Sequence, residues 1–321
     1  MTDPANPNPP AAPACIIGCD VGKADIAVFD SATGQGATIA NTPDALDAFA
    51  AALPPGCLVV CEATGGYEAA LLDAVLRAGH AAHRADARRV KAFIRSLGTL
   101  AKTDAPGARA LARYGHERHD RLERWCPRDE HRQRLATLVA TRSDIVRART
   151  ACTNRLKAPG ADPVAAELRA LLAAHDQAIA SLDGRIADLL RASAPLARAA
   201  ATLRAIPGIG DTTAAALLAL LPELGTLDRR RIASLAGLAP HPRQSGTVDA
   251  YRRTRGGRPE VRRVLFMAAL SATRFNPVIA QFYKRLRDNG KKPIVALTAA
   301  MRKLITIANA KIRDQLSLQL S

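Results

Sequence analysis

The stretch Ala14–Asp30, ACIIGCDVGKADIAVFD, decides the fold. An apolar run, Cys15-Ile16-Ile17-Gly18-Cys19, leads straight into Asp20. A turn containing Gly22 follows, and then a second run, Ile26-Ala27-Val28-Phe29. The pattern predicts a hairpin whose first strand is buried and carries a carboxylate near its end. A buried carboxylate is costly unless a cation or hydrogen bonds satisfy it. Cys57-Leu58-Val59-Val60-Cys61 runs into Glu62 in the same way. Two strands that each deliver an acid point to a divalent-cation site, although the same residues can also simply cap strand ends.

Around this pair the elements read in the order β-β-β-α-β-α-β-α. Residues 14–39 give the hairpin and a third strand, and Asn41-Thr42-Pro43-Asp44 opens a helix with proline in an early position. The strand to Glu62 follows, then a helix over 67–77, a short strand over 81–85, and an Arg/Lys-rich helix over 87–97 capped by Asp86. The order is too irregular for a doubly wound nucleotide fold and predicts a mixed α/β sheet of the ribonuclease-H type. A third acid, Asp104, stands at the start of a helix predicted to run to Tyr114. Cys15/Cys19 and Cys57/Cys61 share the C-x3-C spacing of metal ligands. In a strand, however, they face away from Asp20 and Glu62, so they are expected as packed thiols, neither zinc ligands nor disulfides. Gly18, Gly22 and Lys23 lack the spacing of a phosphate loop.

The rest of the chain reads as helical. Residues 116–128, with the only Trp, form a polar linker. Glu130–Leu156 and 164–190 are long helices joined by a Pro-Gly break, a helical hairpin with recurrent arginine that can face either solvent or nucleic acid. Leu203–Ala214, LRAIPGIGDTTA, has the pattern of a helix-hairpin-helix: Gly208 and Gly210 let a backbone approach phosphate, and the following helix offers free N–H donors. The same motif also suits a plain packing corner between helices. Further on, 239–258 is an Arg-rich loop containing Ser245 with Arg243, Arg252, Arg253, Arg255 and Arg258. A serine that attacks a phosphodiester needs such positive charge for the developing oxyanions.

Charge separates the two ends of the chain. Of the formal +17, residues 228–321 hold 20 Lys/Arg against 5 Asp/Glu, and the remainder 26 against 24. A basic C-terminal part implies a polyanionic partner, nucleic acid in preference to membrane. No run of 18 apolar residues predicts a membrane span. The Pro-rich residues 1–13 are expected as a disordered lead without signal-peptide character, which makes the cytoplasm, with the nucleoid, the expected location.

From residue 14 onward the chain resembles transposases of the insertion sequence 110/116/902 family, the bridge-RNA-guided recombinases. The resemblance rests on Gly18-Cys19-Asp20, Glu62-Ala63-Thr64-Gly65, Lys102-Thr103-Asp104, Ile206-Pro207-Gly208-Ile209-Gly210, Ala236-Gly237-Leu238-Ala239-Pro240, Gln244-Ser245-Gly246, Gly290-Lys291-Lys292 and Met301-Arg302-Lys303-Leu304. It implies a RuvC-like acidic domain over 14–128, a helical hairpin over 129–197 serving RNA binding and assembly, and a transposase domain over 198–321. It further implies that Asp20, Glu62 and Asp104 bind Mg²⁺ or Mn²⁺ and that Ser245 attacks DNA to form a phosphoserine link. The implied partners are element-end and target DNA, a structured guide RNA, and further copies of the chain in a dimer or tetramer. One departure stands out: the fourth acid of the family pattern falls on Gly107, with Asp25 and His116 as conceivable substitutes. A metal-dependent nuclease using the acids alone, or a weakened nucleic-acid-binding remnant, are the alternatives.

Overall fold

A computed structural model describes residues 12–96, 107–127, 129–245 and 248–318. Asp104, the start of its predicted helix, and most of the N-terminal lead lie outside the described residues. The chain forms two units, Met1–Pro127 and Arg128–Ser321.

In the first unit, strands β1 (Ile16–Val21), β2 (Asp25–Asp30) and β3 (Gly36–Ala40) form an antiparallel meander. Helix α1 (Pro43–Ala52) leads to β4 (Leu58–Glu62), α2 (Ala69–Arg77) to β5 (Ala81–Ala85), and helices α3 (Ala87–Ser96) and α4 (Ala108–Arg118) follow. The sheet order is β3-β2-β1-β4-β5, with β1, β4 and β5 parallel. Strands buried on both faces need continuous apolar runs, which is what 15–19 and 57–61 supply. One face packs Cys15, Ile17, Cys19, Val59 and Cys61 against Leu46, Leu71 and Val75 of α1 and α2. The other packs Ile16, Leu58 and Val60 against Val90 and Phe93 of α3 and Leu111 and Tyr114 of α4. This mixed, two-sided architecture is consistent with a ribonuclease-H/RuvC-like fold.

Two expectations need correction here. Ile16 pairs with Leu58, so the cysteines that precede them meet at a Cα separation of 4.7 Å and are joined as the disulfide Cys15–Cys57. Cys19 and Cys61 remain buried thiols. Burial first, then the charge of Glu68, pushes the Cys61 thiol up to about 12, so it is protonated in the folded chain. The polar linker, in turn, folds back onto its own unit. The Trp125 side chain packs against the sheet core and its backbone N–H donates to Ala82 O (2.7 Å), covering edge strand β5.

In the second unit, α5 (Glu130–Leu156), N-capped by Asp129, and α6 (Ala165–Ala192) form the long hairpin. Its arginines are largely paired: Arg142 with Asp183, Arg149 with Asp176, Arg147 with Asp144 and Arg134 with Glu130. The hairpin's base, Leu135, Val139 and Ile186, enters the core built by α7 (Ala194–Arg204), α8 (Asp211–Leu220) and α9 (Arg229–Leu235). After α9 the stretch read as an Arg-rich loop is a β-hairpin, β6 (Pro240–Ser245) and β7 (Val248–Thr254). Helices α10 (Pro259–Phe275), α11 (Pro277–Asp288) and α12 (Pro293–Ser317) complete the unit, with Val261, Leu265, Leu304 and Ile305 in the core. Among the described residues no helix is long and apolar enough to cross a membrane.

Candidate functional site

Asp20 and Glu62 lie at the carboxyl ends of the adjacent parallel strands β1 and β4, the edge at which open α/β sheets bind ligands. The ladder pairs Cys19 with Cys61, so the two acids stand side by side one residue further on. Strand alternation turns them to the α3/α4 face, opposite the cysteines. Burial raises the pKa of Asp20. Burial also raises that of Glu62; the charge of Lys91 on α3 opposes this, and those of Asp20 and Asp86 reinforce it. Glu62 Oε2 is buried without a hydrogen-bond partner.

Helix α4 closes this face because two glycines let it lie flat on the sheet. A Cβ on Gly18 would stand 2.0 Å from Ala108 O and 2.5 Å from Ala112 N. A Cβ on Gly115 would stand 2.7 Å from Ile16 Cγ2 and 2.8 Å from Val60 Cγ2. These contacts run α4 antiparallel to β1 and aim its N-terminus at the Asp20 end. Gly107 is the N-cap, and a Cβ added there meets nothing within 4 Å. The position of the missing fourth acid is therefore open. His116, nine residues further along α4, lies roughly 13 Å away along the helix and is no substitute. Asp25 opens β2 at the same end of the sheet as the acid pair and is exposed.

Among the described residues no group of three or more His, Cys, Asp or Glu comes together to hold a metal. The pair that does meet, Asp20 and Glu62, presents carboxylate oxygens, the donors Mg²⁺ and Mn²⁺ take. The orphaned Glu62 Oε2 fits a cation as its partner. Asp86, read as a helix cap, does accept Arg88 N–H (2.8 Å) and Arg89 N–H (3.3 Å). Burial opposes ionisation of Asp86, but those two bonds and the Arg88 charge hold its pKa below the ordinary value. Asp86 and Lys91 were not expected beside Glu62; their charges reach it because β5 pairs Ala85 with Glu62.

In the second unit, Ser245 ends β6 opposite Val248; Arg243 lies in β6 and Arg252 and Arg253 in β7. Arg255, just past β7, is exposed. Arg258 is committed to the fold: its guanidinium forks onto Glu223 (2.6 and 2.8 Å) and donates to Leu220 O at the end of α8 (2.6 Å). The two motif glycines also part company. Gly208, at φ +100°, faces α10, where a Cβ would stand 2.6 Å from Ala272 Cβ and 2.8 Å from its Cα. Asn276 Nδ2 donates to Pro207 O (3.1 Å), fastening the same corner. Gly210 is exposed with open space around it, at the N-cap of α8.

Residues 200–284 match the family described as transposase IS116/IS110/IS902, and residues 17–160 match a second transposase family of DEDD type named for IS110. The chain is 31% identical over 269 residues to a pilin gene-inverting protein of Moraxella lacunata, covering 80% of each chain, and equally similar to that of Moraxella bovis. It is 35% identical over 147 residues, 45% of this chain and 35% of the other, to an uncharacterized 43.6 kDa protein of insertion element IS110 from Streptomyces coelicolor. An acid pair at the sheet edge, the family matches at both ends and a relative aligned over four fifths of both chains agree: the protein belongs to the IS116/IS110/IS902 family of transposases, enzymes that recombine DNA.

Proposed function

We propose that this transposase recombines DNA through a covalent phosphoserine link at Ser245, directed by a structured RNA, with Mg²⁺ or Mn²⁺ held by Asp20, Glu62 and Asp104. The observation that carries this reading is the juxtaposition of Asp20 and Glu62, with one buried carboxylate oxygen lacking a partner. A divalent cation bound there would supply charge for a phosphate's non-bridging oxygens. Ser245 Oγ attacks phosphorus: the Oγ–P bond forms, one bridging P–O bond breaks, the serine loses its proton and the released sugar oxygen gains one. Attack by a different sugar hydroxyl reverses the step and joins new strands. Arg243, Arg252, Arg253 and Arg255 are the cations proposed to balance the developing charge. Gly210 is a proposed phosphate contact, whereas Gly208 and Arg258 serve the fold. The substrates are element-end and target DNA, and the active species is a homo-oligomer, dimer or tetramer. The name of the pilin gene-inverting relatives supports rearrangement of DNA segments as the outcome.

Denaturing gels on nicked substrate DNA, with the cognate RNA and Mg²⁺, test the reading. The wild type is expected to leave a denaturant-stable protein–DNA adduct, and Ser245→Ala to leave none. Metal-dependent cleavage that survives in Ser245→Ala would replace the recombinase by a nuclease acting through the acids alone.

A further inference from the structure

The β1–β4 ladder ends at Cys19 and Cys61, one residue short of the two acids, and each acid is paired only on its outer side, Asp20 with Ala27 and Glu62 with Ala85. A chain of hydrogen bonds continues where the ladder stops. Glu68, at the start of α2, is 2% exposed, and a charge so buried must be satisfied. Its Oε2 accepts the N–H groups of Thr64 and Gly66, both at 3.0 Å, and its Oε1 accepts Arg84 Nη1 at 3.3 Å. The carboxylate thus folds the loop leading away from Glu62. Thr64 Oγ1 donates back to Glu62 O (3.1 Å), tying that loop to the acid's own backbone.

A second side chain joins this loop to the one that follows Asp20. Asn41 Nδ2 donates to Tyr67 O (3.3 Å) and to Gly22 O (2.9 Å). Asn41 N–H also donates to Ala24 O (2.7 Å), and Gly22 N–H to Asp25 O (2.8 Å), so the turn it grips is itself closed. From Arg84 through Glu68, Thr64–Tyr67 and Asn41 to Gly22, one polar path spans both acid-bearing strand ends.

We propose that Glu68 and Asn41 are positioning residues that set the separation of the Asp20 and Glu62 carboxylates. The proposal rests on the reading of that pair as a cation site. Outer partners of metal ligands typically change affinity by about 10–100-fold when removed. The test uses the full-length protein, Mn²⁺ binding followed by electron paramagnetic resonance, and hydrogen exchange over residues 63–67 as a readout independent of metal. Glu68→Gln keeps the side chain's shape, and Asn41→Ala removes a half-buried amide, so both are expected to fold. Each is expected to speed exchange in the loop and to weaken Mn²⁺ binding about 10-fold. Mn²⁺ affinity within about twofold of wild type, with or without faster exchange, would overturn the positioning role. Asp20→Asn and Glu62→Gln separate the two ideas: if neither lowers Mn²⁺ binding, the cation-site reading itself has failed.

Discussion

Burial raises the pKa of both Asp20 and Glu62, and a carboxyl shifted upward in the folded chain carries a definite stability cost. Between the unfolded and the folded pKa the folded state holds more protons, so stability falls as pH rises through that window. Above it, two ionised carboxylates sit side by side, one with an oxygen that has no partner. In chelator-treated protein, Glu62→Gln is therefore expected to raise the melting temperature at about pH 7, with the gain fading as pH falls from the raised folded pKa and gone by the ordinary carboxylate value near 4. Saturating Mn²⁺ is expected to reverse the order, because it stabilises only the form that binds it. Melting curves with chelator and with Mn²⁺ check both signs. A Glu62→Gln protein that melts below wild type in chelator would show that the carboxylate supports the fold and is not strained by it.

Helix α4 carries the departure from the family pattern, and its geometry says what that departure removes. Gly107 is the N-cap, where Asp and Gly differ by only a few tenths of a kcal/mol, so Gly107→Asp is expected to leave stability nearly unchanged. What it adds is a carboxylate in open space at the helix end that faces Asp20. The Mn²⁺-induced rise in melting temperature is expected to be larger in Gly107→Asp than in wild type. Equal shifts, with equal recombination, would make position 107 irrelevant. Elements such as β1 and β4 were legible in the sequence because apolar runs and strand alternation are local signals that burial reinforces. The acids' common face followed from the same alternation. What stayed illegible depends on register or closure at a distance. The Cys15–Cys57 bond needs β1 and β4 paired in one particular register. The satisfied carboxylate of Glu68 needs loop N–H groups that only the folded loop presents. The β6–β7 hairpin was hidden because its Pro, Gly and Arg residues read locally as loop.

At the scale of the molecule, the acid pair and the net positive charge fall in different units. Residues 1–127 carry 13 Lys/Arg against 14 Asp/Glu, and residues 128–321 carry 33 against 15. The acid pair sits in the nearly neutral unit, and the excess of positive charge sits in the other. Within the second unit the hairpin neutralises much of its own arginine through ion pairs, which leaves the helices and strands after α8 as the main source of field. Binding and catalysis are then expected to separate. For duplex DNA, log affinity should fall linearly with log salt, by about 0.9 per phosphate contact. Asp20→Asn, or added chelator, is expected to leave affinity and slope unchanged while abolishing the covalent adduct. Arg255→Gln is expected to reduce the slope by about one contact. Arg258→Gln should spare the slope and lower stability instead, since it removes the forked ion pair to Glu223 and the bond to the end of α8. Fluorescence anisotropy of a labelled duplex across a salt series, paired with melting curves, measures both quantities. Should Asp20→Asn alter the slope as much as Arg255→Gln does, the first unit would be contacting phosphate itself, and DNA affinity would not be independent of the acid pair.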